Sequence, residues 1–173
     1  MNKEDFIKDE LWLVTVNAAF QRANVYLPNA NEQTKNDMKR MLRGLLEMSI
    51  LSDYHNEVSD QKHIENINSV KNFSSNFSDI LANGSFTFGV SQKILNLFLK
   101  VQWCLGRLKS IPPHFPVDRR IQVELGIKVP ISWTTEMNEK EYLEIIELAR
   151  KLAEKDNKSI AEYELENFRR RNI

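Results

Sequence analysis

Gly84-Ser-Phe-Thr-Phe-Gly89-Val-Ser-Gln-Lys93-Ile-Leu-Asn96-Leu-Phe-Leu-Lys100-Val-Gln-Trp-Cys104-Leu-Gly-Arg107 is the stretch on which the fold turns. From Ile94 to Leu105 apolar residues occupy nearly every side of the helical wheel, which is the pattern of a helix enclosed by others, and a glycine-punctuated turn leads into it. The stretch therefore predicts the central helix of a bundle. One polar stripe interrupts it: Lys93, Asn96, Lys100 and Arg107 recur at steps of three, four and seven residues and so share a face. That seam is either the helix's one solvated edge, with lysine stems laid over apolar neighbours, or the wall of a cleft in which a lysine drawn out of water becomes a nucleophile.

On the N-terminal side, residues 3–27 read as an amphipathic helix ended by Pro28. A second helix runs from about Glu32 to Tyr54, with Asn31 as N-cap and Met38, Met41, Leu42, Leu45, Leu46 and Met48 as its apolar stripe. Residues 55–81 are more polar, and Ile64, Ile67, Val70, Phe73, Phe77 and Ile80 form a narrow stripe, as on a surface helix. Its many Asn and Ser residues compete for the backbone and predict a break near Ser74-Ser75. On the C-terminal side, Pro112, Pro113 and Pro116 forbid helix through Phe115. Pro116 then fits the first turn of a short helix closed by Gly126. Residues 128–135 read as irregular. Asn138 with Glu141, and Ser159 with Glu162, are capping signatures for a helix to about Glu154 and for a last helix carrying Ile160, Tyr163, Leu165 and Phe168. No two-residue alternation, hairpin signal or repeat is present. The expected fold is all-α, a single-domain bundle of about seven helices spanning residues 1–173 around a buried central helix.

Composition limits the function classes. The 173 residues suit one core, and only 5 Gly and 5 Pro favour long regular elements. Lys+Arg and Asp+Glu are 24 each, so there is no basic surplus to drive non-specific nucleic-acid binding, although a local basic face is still available. Cys104 is the single cysteine, which excludes an intrachain disulfide and a cysteine-held zinc or iron–sulfur site. Its neighbours Trp103 and Leu105 suggest a core position. No apolar run reaches membrane-spanning length and no signal-peptide pattern opens the chain, so a cytoplasmic location is expected, with no membrane partner.

Known chemical motifs are absent. His55, His63 and His114 have no metal-ligand spacing and read as incidental, and no metal or other cofactor is expected. The acidic residues of the C-terminal helices read as solvated faces with basic partners, and neither a phosphate-binding loop nor a nucleophile elbow is found. What remains is a pair of segments, Gly89-Val90-Ser91-Gln92-Lys93-Ile-Leu-Asn96 and Pro116-Val117-Asp118-Arg119-Arg120-Ile-Gln-Val-Glu-Leu125-Gly126.

In order and register these segments resemble the core of the helix–hairpin–helix DNA glycosylase superfamily, typified by endonuclease III and the 8-oxoguanine glycosylases. There a Gly-Val-Gly hairpin precedes a helix with a catalytic lysine and, three residues on, an asparagine; a Pro-Val-Asp segment then opens a helix ending in Leu-Gly. Lys93, Asn96, Asp118 and Leu125-Gly126 match those positions. Ser91 replaces the second hairpin glycine, Thr87-Phe88 stand where Leu-Pro is usual, and the interval from Lys93 to Asp118 is longer than in endonuclease III. The likeness covers roughly a quarter of the chain.

The resemblance implies base excision. Lys93 would attack the sugar C1′ of a flipped nucleotide while Asp118 balances charge and assists proton transfer. Gly89, Ser91 and Gln92 would grip the DNA backbone at a helix N-terminus beside Asn96, and Lys100, Arg107, Arg119 and Arg120 would supply phosphate contacts. Trp103 or Trp133 could stack on a base, though core packing explains Trp103 more simply. The competing expectation is a non-catalytic helical module that binds a protein or nucleic-acid partner, with Asp118 a simple helix cap and Arg169-Arg170-Arg171 a docking site or solvated tail. Self-association into a homodimer is a further possibility.

Overall fold

The computed structural model describes residues 2–167, and these fold into seven α-helices. They are α1 (Lys3–Phe20), α2 (Glu32–Leu45), α3 (Asp60–Ser74), α4 (Phe88–Cys104), α5 (Arg119–Glu124), α6 (Glu139–Lys155) and α7 (Ile160–Asn167). The only β-type pairing among the described residues is an isolated antiparallel bridge between Tyr26 and Leu81. No helix among them is long and apolar enough to cross a membrane. Phe168 and Arg169-Arg170-Arg171, named above, lie outside the described residues.

Helix α4 is central, as its apolar circumference requires. It packs against α1 on one side and α3 on another, and every residue from Phe88 to Leu99 is buried. The helix begins earlier than the apolar run suggested. Thr87 is its N-cap, its side chain accepting the Val90 N–H, so Gly89 lies within the first turn rather than in a hairpin before it. A Cβ on Gly89 would stand 1.6 Å from the carbonyl oxygen of Trp133, so glycine is required here by the close approach of another backbone.

The helix ends follow the sequence signals closely. Gly106 (φ 70°) and Gly126 (φ 83°) close α4 and α5 in the left-handed conformation. In each case the next residue's N–H returns to a carbonyl five residues earlier, Arg107 to Gln102 and Ile127 to Gln122, both at 2.9 Å, and so satisfies an otherwise orphan acceptor. Asn138 and Glu141 form the predicted reciprocal cap of α6, and Ser159 and Glu162 do the same for α7.

The expected break at Ser74-Ser75 is present as a 3₁₀ turn over Ser75–Phe77. Helix α3 is a surface helix as expected, with Gln61, Lys62, Glu65, Ser69 and Asn72 exposed, but its buried face adds His63, Asn66 and Ser74 to the apolar stripe of Ile64, Ile67 and Val70. Two readings are corrected. Helix α1 stops at Phe20, well before Pro28. Cys104, the last residue of α4, is exposed rather than part of the core.

Beyond α2 the chain continues as a π-turn (Leu46–Ile50) and a 3₁₀ turn (Leu51–His55). The reason lies in the spacing of Leu42, Leu46, Ile50 and Tyr54, all buried and all four residues apart. Four residues overshoot an α-helical turn of 3.6, and the wider π-turn absorbs the excess, so the apolar row keeps facing inward and delivers Tyr54 to α3.

Candidate active site

Lys93 lies in the second turn of α4, and Asp118 is the N-cap of α5. The two residues, 25 positions apart, are joined by an ion pair of 3.0 Å between Lys93 Nζ and Asp118 Oδ2. The other carboxylate oxygen, Oδ1, accepts the backbone N–H groups of Arg120 (3.0 Å) and Ile121 (3.2 Å). Asp118 thus caps a helix and holds a cation with the same group. The Lys93 ammonium also lies 4.2 Å from the centroid of the Trp133 ring, over its face, where the ring quadrupole attracts a cation. Lys93 is only 7% exposed, whereas the Asp118 side chain is 30% exposed, so solvent reaches the pair from the carboxylate side.

Two buried glutamines set this geometry. Gln92 donates through Nε2 to the carbonyl of Val117 (2.6 Å) and accepts the Val117 N–H through Oε1 (3.1 Å). Gln122 repeats the arrangement on Ile131, at 3.0 and 2.8 Å. Each side chain satisfies both polar groups of one peptide-bearing residue, as a neighbouring β-strand would. Gln92 fixes the residue before Asp118, and Gln122 fixes a residue two before Trp133. Nothing in the sequence pattern singled out Gln122; its signal was a glutamine on the apolar side of a short helix.

The remaining residues of the resemblance are placed as follows. Gly89, Ser91, Gln92 and Asn96 are all buried, Ser91 donating to the Thr87 carbonyl and Asn96 donating to Tyr142 Oη at 2.9 Å. In this conformation they support the core and present no surface to a phosphate. Lys100 pairs with Glu164 of α7, Arg107 lies past the end of α4 and reaches Glu4 at 3.6 Å, and Arg120 pairs with Glu124 at 2.7 Å. Arg119 is exposed at the start of α5. The polar seam of α4 is therefore neither a solvated edge nor an open cleft. Its members are taken up one by one: Lys93 by Asp118, Asn96 by α6, Lys100 by α7 and Arg107 by Glu4 of α1.

The seam also leads to a feature the sequence reading missed. His63 and His114, which had looked incidental, lie inside the core with their ring centroids 4.5 Å apart. His63 Nδ1 is 2.7 Å from Tyr54 Oη, and that hydroxyl also accepts from Asn66 at 3.2 Å. His114 Nδ1 is 3.1 Å from Tyr142 Oη, and its Nε2 is 3.0 Å from Asp60 Oδ1. Asp60 in turn receives the guanidinium of Arg150 through both oxygens. The hydrogen bond from His114, with help from Arg150, holds the Asp60 carboxyl far below the usual carboxylate range. Burial pushes the Tyr142 hydroxyl well above its ordinary value, so it stays protonated. Removing that hydroxyl by Tyr142→Phe strands His114 Nδ1 and leaves Asn96 Nδ2 only its 3.3 Å bond to Gln92 Oε1, and is expected to lower stability by about 1–3 kcal/mol in denaturant titrations.

Among the described residues no group of His, Cys, Asp or Glu side chains could hold a metal ion. No family model, curated protein or solved structure matches the chain.

Proposed function

We propose that the protein is a DNA base-excision glycosylase or glycosylase/lyase-like enzyme acting on a damaged or modified base, with Lys93 as nucleophile and Asp118 as its proton partner. The observation that carries the proposal is the 3.0 Å contact between the two residues that the glycosylase resemblance pairs, with the aspartate at the start of a helix that follows Pro116-Val117. The ammonium is not itself nucleophilic. Attack requires its proton to pass to Asp118, the amine nitrogen to bond to C1′ as the C1′–base bond breaks, and the departing base to take up a proton. Opening of the sugar ring then leaves a protonated imine. Substrate entry requires Lys93 to leave the cover of Trp133.

The test is incubation with duplexes carrying a panel of damaged bases, followed by borohydride, which reduces an imine to a stable protein–DNA adduct, with base release measured alongside. Adduct formation is expected in the wild type and not in Lys93→Gln. Asp118→Asn keeps an N-cap residue but removes the charge. It is expected to fold normally and to lose about 10²-fold or more in base release. The phosphate contacts of Lys100, Arg107, Arg119 and Arg120 make binding salt-dependent under this reading. One observation favours a second reading, a non-catalytic helical module for a protein or nucleic-acid partner: Asp118 Oδ1 is already engaged as a cap, and Lys93 is enclosed. Absence of both adduct and base release across the panel would select it.

A further inference from the structure

The hydrogen bonds around His63 and His114 run in one direction. With Tyr54 Oη accepting from Asn66, the assignment that gives its own proton an acceptor has it donate to His63 Nδ1. That leaves His63 protonated at Nε2. Among the described residues, His63 Nε2 and Asn96 Oδ1 are both buried without a hydrogen-bond partner, a donor and an acceptor left over in the same core, and Asn96 opposes the lowering of the His63 pKa. Asn96 Nδ2 then donates to Tyr142 Oη, Tyr142 donates to His114 Nδ1, and His114 Nε2–H donates to Asp60. The series uses each proton once and needs both rings neutral.

We propose that this array is an acid-operated latch. With both rings neutral it ties the turn bearing Tyr54, α3, α4, α6 and the His114 segment into one core. One added proton has no acceptor without reversing the series. Through Asn96 and Gln92 the array also holds Val117, and so the register of Asp118 against Lys93. The latch does not depend on base-excision chemistry.

The charged and titratable groups facing the rings come from every packed element. They are Tyr54 and Asp53 from the 3₁₀ turn, Asp60 from α3, and Tyr142 and Arg150 from α6. Lys100 of α4 and Glu164 of α7 share a small crevice with His114. Burial lowers the pKa of both histidines. His114 adds to the effect on His63 by repulsion, and for His114 burial outweighs the attraction of Asp60. A histidine kept neutral in the fold takes up a proton on unfolding once pH falls below its unfolded value, about 6.5. Stability is therefore fully present above that pH and is lost as pH falls below it. The carboxylates held low, Asp60 among them, contribute their own loss only nearer pH 4.

Chemical denaturation of the whole chain between pH 7.5 and 5 tests this, together with ring ¹⁵N spectra of the native state. The folded-to-unfolded ratio is expected to fall up to about tenfold per pH unit for each histidine, about a hundredfold for the two. His63 and His114 should remain neutral and Nε2-protonated in the native spectra. A flat profile from pH 7.5 to 5, or native ring signals of His63 and His114 that titrate near 6.5, would overturn the proposal. The spectra decide the matter even where His63→Gln or His114→Gln fails to fold.

Discussion

Gly89→Ala is expected to be the most damaging single methyl addition in the chain, lowering stability by about 3–5 kcal/mol. Alanine is normally the better helix former by about 1 kcal/mol, so a helical glycine ordinarily invites this change. Here the new Cβ would lie 1.6 Å from the Trp133 carbonyl oxygen and 2.7 Å from its carbonyl carbon. Both are backbone atoms, so no rotamer change relieves the clash, and Ile131, two residues earlier, is pinned to Gln122. Either α4 shifts or the segment bearing Trp133 lifts away. Denaturant midpoints measure the loss, and a red shift of tryptophan emission at an intact fold would identify the second outcome, in which the indole leaves Lys93. A neutral Gly89→Ala would mean that Trp133 does not cover α4.

Gln92→Leu is expected to cost about 2–5 kcal/mol, although it places an apolar side chain of similar size in the middle of a helix. The cost comes from the partners left behind. The N–H and C=O of Val117 are both buried and both bonded to Gln92, and neither gains a replacement. Replacing both partners by apolar groups can be neutral, but a backbone cannot be replaced. The same reasoning makes Gln92→Glu harmful, since a carboxylate cannot donate to the Val117 carbonyl. Comparing equilibrium unfolding of Gln92→Leu with that of Gln102→Leu, a change near the end of the same helix, isolates this effect.

The elements of this fold were legible where the signal was local. Asn31, Asn138 with Glu141, Ser159 with Glu162, and Gly126 marked helix ends because caps act over three or four residues, and the apolar circumference of Ile94–Leu105, interrupted by one polar stripe, marked the buried helix. The pairing of Lys93 with Asp118 came from motif register alone, and their contact is a tertiary fact that no spacing rule supplies. The readings that failed depended on partners distant in sequence. His63 and His114 lacked metal-ligand spacing and looked incidental, because what fixes them are Tyr54, Asn96, Tyr142 and Asp60 on other elements. Gly89 was read as a contact for phosphate because a glycine's permissiveness is visible in sequence, whereas the carbonyl that fills the space beside it is not. Cys104 was placed in the core by its apolar neighbours, yet it is the exposed last residue of α4, where the packing of the helix has already ended.

The bond between Asp60 and Arg150 spans 90 residues, and that between His114 and Tyr142 spans 28. Synthesis runs from the N-terminus at about 5–20 residues per second. While it lasts, a growing chain that stops short of Tyr142 can already pair His63 with Tyr54 and His114 with Asp60, and can lay α4 against α1 and α3. Asn96 and His114 still wait for Tyr142, and Asp60 for Arg150. The polar interior is therefore the last part of the core to be completed, when α6 leaves the ribosome and closes an array that the earlier two-thirds began.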